Sequence, residues 1–147
     1  MTAPGAAARV APAVALVGSS IVMVGSVLGW ARSGSSVRNS YALVRSARTL
    51  GIVEGSLASL AAVWFAVPVV VGLAWLAFSA QRWRSLGLCS LIAGLLAIGA
   101  AGAVQRAPLG PVAGLWVTLG GGVVAVGGGL ATMYLAQQVA RHPQRRR

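Results

Sequence analysis

Side chains able to carry acid–base or metal chemistry are scarce: the 147 residues include one acidic residue, one histidine and one cysteine. They are Glu54, His142 and Cys89. General acid–base catalysis and metal coordination both need such groups held together in small clusters. Glu54 precedes one apolar run, Cys89 lies inside another, and His142 sits in a basic tail, so the sequence brings no two of them together. A lone cysteine also excludes an internal disulfide or a dithiol couple. Cys89 reads as a small packing residue and His142 as solvated. No catalytic residue, metal site or cofactor is expected, and the chain reads as non-enzymatic.

The other chemical signal is the glycine cluster "GGGVVAVGGG" at residues 120–129. Glycines cradle phosphates when a lysine stands beside them at a strand-to-helix junction. The 12 basic side chains here are all arginine, and no charge occurs between Val112 and Ala140. The cluster therefore lies within a long apolar run, and its role is packing.

The elements that carry these residues follow from composition. With 57% hydrophobic and 9% charged residues and a mean hydropathy of +0.81, the chain falls far below the roughly 25% charged residues of soluble domains. A helix needs roughly 20 apolar residues to cross the hydrocarbon of a bilayer. Four runs meet that condition, at residues 12–31, 57–80, 86–104 and 112–136, and the basic tail occupies 137–147. Every arginine lies outside them, as the cost of a charge in the bilayer core requires. The first run is too long for the core of a signal peptide and lacks a small-residue cleavage site, so it reads as an uncleaved first helix. The expected fold is all-α: one domain of four membrane helices in an antiparallel up-down bundle, because the short connections "QRWRS" and "QRAPLGP" force neighbours to pack antiparallel.

The positive-inside rule sets the direction. With both termini cytoplasmic, Arg9, Arg82, Arg84, Arg141, Arg145, Arg146 and Arg147 lie inside, and Arg32, Arg38, Arg45, Arg48 and Arg106 lie outside. The concentrated tail "RHPQRRR" decides for that orientation in the cell membrane. Trp30, Trp83 and Trp116 fall near span ends, where aromatic rings favour the headgroup level.

Small residues recur along these helices. Gly25 and Gly29 lie four apart in the first, Cys89, Ala93, Ala97 and Ala101 in the third, and Gly121, Ala125 and Gly129 in the fourth. Such rows let backbones approach closely and offset glycine's poor helix propensity. The predicted helix-packing residues are accordingly Gly25, Gly29, Ala93, Ala97, Ala101, Gly121, Ala125 and Gly129. Their faces serve the bundle itself or a further membrane protein. Pro68, mid-run in "AVPVV", predicts a static kink.

The first connection is the only sizeable one. Asn39 or Ser40 can cap a helix there and Gly51 can end it. Leu43, Val44, Ala47 and Leu50 share one side and Arg45 and Arg48 the other, the pattern of a short amphipathic helix on a membrane surface. Arg38, Arg45 and Arg48, with Tyr41 as an anchor, read either as a solvated basic face that orients the loop or as contacts to anionic lipid headgroups or an acidic partner. The stretch "WARSGSSVRNSYALVRSARTLG", through Trp30, Ser33, Gly34, Arg38, Ser40 and Tyr41, resembles a region in small multi-pass membrane proteins of actinobacteria. The Ala/Gly/Val/Arg-rich, lysine-free composition is similar to that of proteins from GC-rich genomes of that kind. The resemblance implies a source and a compartment but no activity.

Span number and size also look like those of small multidrug transporters, but the first span lacks the embedded glutamate on which those depend. No match to the polar pore residues of small fluoride channels is present. A charge of +11 divided between two membrane faces does not suit nucleic acid. The leading expectation is an accessory or scaffold subunit that packs against other membrane proteins or itself. The alternative is a homo-oligomeric channel or small transporter for an uncharged or anionic solute, its pore lined by Ser19, Ser20, Thr118 and glycine carbonyls.

Overall fold

The computed structural model describes residues 4–33, 36–49, 63–106 and 110–141, with the backbone alone at 4–9, 33, 47–48 and 141. In chain order these form α1 (Pro4–Val27), β1 (Gly29–Ser33), β2 (Ser36–Asn39), α2 (Ser40–Thr49), α3 (Val67–Ser79), α4 (Trp83–Gln105), β3 (Gly110–Pro111) and α5 (Ala113–Arg141). Among the described residues, three segments are long and apolar enough to cross a membrane: Val10–Val27, Trp83–Gln105 and Ala113–Ala140. Large apolar side chains point outward from the helices, among them Val17, Val24, Leu73, Trp75, Leu76, Leu95 and Trp116. Water would oppose an apolar surface of that extent, and a lipid environment matches it.

The helix of the first run is displaced from the expected 12–31. It begins at Pro4 and carries Pro12 inside it. The alanine-rich start "GAAARVA" favours helix strongly enough to continue through a proline that removes a single backbone bond. Its end comes earlier too, at Val27, because residues 29–33 pair as a strand.

The second run is interrupted. Residues 57–62 lie outside the described residues; a turn at Phe65–Ala66 precedes α3, and Pro68 stands in the first turn of that helix, where a missing N–H costs no helical bond. Pro68 therefore marks a helix start and not a mid-helix kink. The 13 residues of α3 rise about 20 Å, short of the ~30 Å hydrocarbon thickness.

A small antiparallel sheet, in the order β2-β1-β3, corrects the all-α expectation. Its register shifts between Gly29 and Ala31, and this irregularity turns Trp30 into the protein, where it is 1% exposed. Trp30 is thus a core residue and not an interface anchor. It joins Val22, Trp64, Val67, Val71, Ala93, Ala97, Ala101 and Leu115 in the principal core. The α2 helix follows β2 directly, capped by Asn39, whose Oδ1 accepts from the Ala42 N–H at 2.9 Å.

The connection from α3 to α4 is a tight left-handed cap. Arg82 N–H donates to Ala77 O at 2.8 Å and Gln81 N–H to Phe78 O at 3.0 Å. This is the paired bonding of a Schellman motif. Its left-handed position, normally glycine, is occupied by Gln81 at φ 53°. A side chain there costs about 1 kcal/mol, so Gln81→Gly is expected to raise the unfolding free energy by somewhat under ~1 kcal/mol. A melting temperature at or below that of the parent in detergent would contradict it.

Candidate functional site

The glycine-rich α5 is the centre of the bundle, and it presents three faces. Along the first, Thr118, Gly121, Ala125 and Gly128 meet α1 in antiparallel register, and Gly114 meets Leu28 and Gly29 just past the end of that helix. A β-carbon added at Gly128 would lie 2.5 Å from Ala15 N and one at Gly121 would lie 2.9 Å from Val22 N. From the other side, a β-carbon at Gly18 would lie 2.7 Å from Ala125 Cα and one at Gly25 would lie 2.8 Å from Thr118 N. Real β-carbons are not found so near backbone atoms, so these helices touch main chain to main chain. Steps alternating between four and three residues average 3.5, the repeat of left-handed supercoiled helices.

The second face runs through Gly122, Val126, Gly129 and Met133 and packs antiparallel on α4. A β-carbon at Gly129 would lie 2.8 Å from Gly87 O and one at Gly94 would lie 2.6 Å from Gly122 O. Ala93, Ala97 and Ala101 of α4 are each 0% exposed, and a β-carbon at Gly122 would lie 3.1 Å from that of Ala97. The expected row Gly121, Ala125, Gly129 is therefore divided: its first two members face α1 and Gly129 faces α4. Gly29 belongs to β1 and not to a helix; it abuts the Val37 side chain, and its carbonyl oxygen lies against Gly114 of α5.

Among the described residues, the third face is open. Trp116, Gly120, Val123, Gly127, Leu130 and Tyr134 are all exposed, and nothing lies within 4 Å of a β-carbon placed at Gly120 or Gly127. Their spacing is again four, three, four, three and four residues.

Hydroxyl groups inside the bundle are occupied by their own helices. Thr118 Oγ1 donates to Gly114 O at 2.8 Å, Thr132 Oγ1 to Gly128 O at 2.7 Å and Ser20 Oγ to Leu16 O at 2.9 Å. Ser19 Oγ lies 2.9 Å from Ala15 O and 3.1 Å from Ser90 Oγ. Among the described residues, no buried side-chain nitrogen or oxygen lacks a partner. Of these, the Ser19–Ser90 contact joins two helices, α1 and α4, and the others bond within their own helix.

At the far end the last turn of α1 is closed by a polar cap. A helix ends with carbonyls that have no helical donor, and here side chains supply them. Trp30 Nε1 donates to Gly25 O at 2.9 Å, Ser26 Oγ to Met23 O at 2.7 Å and Ser40 Oγ to Ser26 O at 2.5 Å. Trp64 Nε1 donates to Ser40 Oγ at 3.0 Å, and the two indoles meet edge to face with centroids 5.2 Å apart. Tyr41 is part of this cap: its hydroxyl lies 3.2 Å from Ser26 Oγ and its ring 5.5 Å from that of Phe65. Leu43 and Val44 pack against the core, whereas Arg38 and Arg45 are exposed and the Arg38 guanidinium donates to Ser46 Oγ. Leu50, Gly51, Glu54, His142 and the side chains of Ala47 and Arg48 lie outside the described residues.

The serine–tryptophan cap carries no motif in the sequence. Only the tryptophans hint at it, since an indole N–H that is buried needs an acceptor. Comparison with protein-family models, curated proteins and solved structures finds no match to this chain.

Proposed function

We propose that this chain is a non-enzymatic, multi-pass protein of the cell membrane that packs against the helices of another membrane protein as an accessory or scaffold subunit. In this reading the run at 57–80 adds a fourth crossing, both termini are cytoplasmic, and Arg38, Arg45 and Arg48 meet anionic headgroups on the opposite side. The observation that carries it is the open third face of α5. Two outward glycines seven residues apart, bracketed by Trp116 and Tyr134, repeat the spacing with which α5 already holds α1 and α4. Helices in lipid associate through such close packing, because lipid tails give no hydrophobic incentive.

The expected result is a partner that co-purifies from native membranes in mild detergent and is released by Gly120→Leu or Gly127→Leu. Both variants should leave the melting temperature of the isolated chain unchanged or slightly raised, since leucine is the better helix former. Retention of the partner by both variants would refute the role of this face. A pure symmetric oligomer with no foreign partner would favour the channel or transporter instead.

A further inference from the structure

At the end of the bundle opposite the polar cap, a groove of about 480 Å³ opens between the α3–α4 turn and the last turns of α5. Arg82, Trp83 and Arg84 form one wall, and Leu135, Ala136 and Val139 the other. Both arginines are exposed. Trp83 is steadied by an edge-to-face contact with Phe78, with centroids 5.9 Å apart. The groove thus pairs a cationic rim with an apolar side, next to the outward surface that a bilayer would cover.

Its electrostatics are one-sided. The two guanidiniums stand at the start of α4, where the helix dipole is already positive. The first turn of α4 contains no acidic residue, and no side chain caps it. The whole sequence holds a single acidic residue, Glu54, far too few to balance its arginines. An anion between Arg82 and Arg84 would answer both guanidiniums, whose planar forks match phosphate oxygens. A free anion would leave the apolar wall bare, whereas a phospholipid covers it with an acyl chain.

We propose that this groove is a binding site for an anionic glycerophospholipid, with the phosphate held by Arg82 and Arg84, Trp83 at the level of the glycerol, and an acyl chain along Leu135, Ala136 and Val139. Basic pockets between membrane helices recognise headgroups by this chemistry. The site is separate from the arginines of the first connection and does not depend on the open face of α5.

The test uses the full chain in a zwitterionic detergent, with phosphatidylglycerol, phosphatidylcholine and inorganic phosphate as probes, followed by native mass spectrometry and thermal shift. Phosphatidylglycerol should be retained and should raise the melting temperature, while the other two should do neither. Arg82→Gln combined with Arg84→Gln should weaken phosphatidylglycerol binding by about tenfold or more, the loss expected for two charge-assisted contacts. Ala136→Trp, which fills the apolar side and keeps both arginines, should weaken it as well. Arg32→Gln with Arg106→Gln, two exposed arginines outside the groove, should leave it intact. Equal binding by the parent and the Arg82/Arg84 double variant would overturn the proposal. So would undiminished binding to Ala136→Trp, or an equal shift from inorganic phosphate.

Discussion

Gly18→Ala is expected to destabilise the bundle by about 1–3 kcal/mol, the usual cost of overpacking, although it adds a single methyl group to a helix that would otherwise welcome alanine. The added carbon would fall 2.7 Å from Ala125 Cα on the facing helix. Neither side can yield by rotating a side chain, because the clashing atoms belong to main chain. The helices must separate, and the contacts along the α1–α5 seam weaken together. Gly128→Ala should behave alike, since its β-carbon would meet Ala15 N at 2.5 Å. Gly72→Ala and Gly99→Ala provide the opposite sign: among the described residues, no neighbouring element lies within 4 Å of a β-carbon at either position, so alanine should stabilise by roughly 0.5–1 kcal/mol. Thermal unfolding of the four variants in one detergent checks the set. Four shifts of the same sign would mean that α1 and α5 are not in backbone contact.

Trp30→Ala should have the larger effect, about 3–5 kcal/mol. It empties the largest fully buried side chain of the core and withdraws the indole donor from Gly25 O. Trp30→Phe, which keeps a ring and loses the N–H, should cost nearer 1 kcal/mol. Ser40→Ala removes one hydroxyl that serves two partners, leaving Ser26 O without its donor and Trp64 Nε1 without its acceptor, for a loss of about 1–3 kcal/mol. Trp64→Phe should cost less in the Ser40→Ala background than alone, with a coupling of at least ~0.5 kcal/mol. Additive losses would show that the cap is a set of independent contacts.

The long apolar runs were legible because a bilayer tolerates few alternatives. The expected 86–104 became Trp83–Gln105 and the expected 112–136 became Ala113–Arg141, each extended by polar or amphipathic residues that hydropathy undervalues. The Asn39 cap and the helix after it were legible from local chemistry. The strand "GWARS" was not, since it lacks alternation and owes its pairing to β2 and to Gly110–Pro111 far along the chain. The division of the glycine row has a geometric cause. A step of four residues overshoots a 3.6-residue turn by about 40°, so Gly129 lies about 80° around α5 from Gly121. Four-residue spacing could mark a smooth helix but could not assign it to one neighbour. The sequence marks "QRWRS" only as a short connection, because nothing in it places the end of α5 beside these arginines.

The seam between α1 and α5 also constrains how this protein can change over generations. Glycine is the smallest residue, so every single-residue replacement at positions 18 or 128 is an enlargement. The residues opposite them are Ala125 and Ala15, which have at most one methyl group to give up. Since the obstructing atoms are main chain, even that concession would not make room. Drift at these positions has no gradual route, and a lineage that alters the seam must shift the axis of a whole helix or keep both sides as they are.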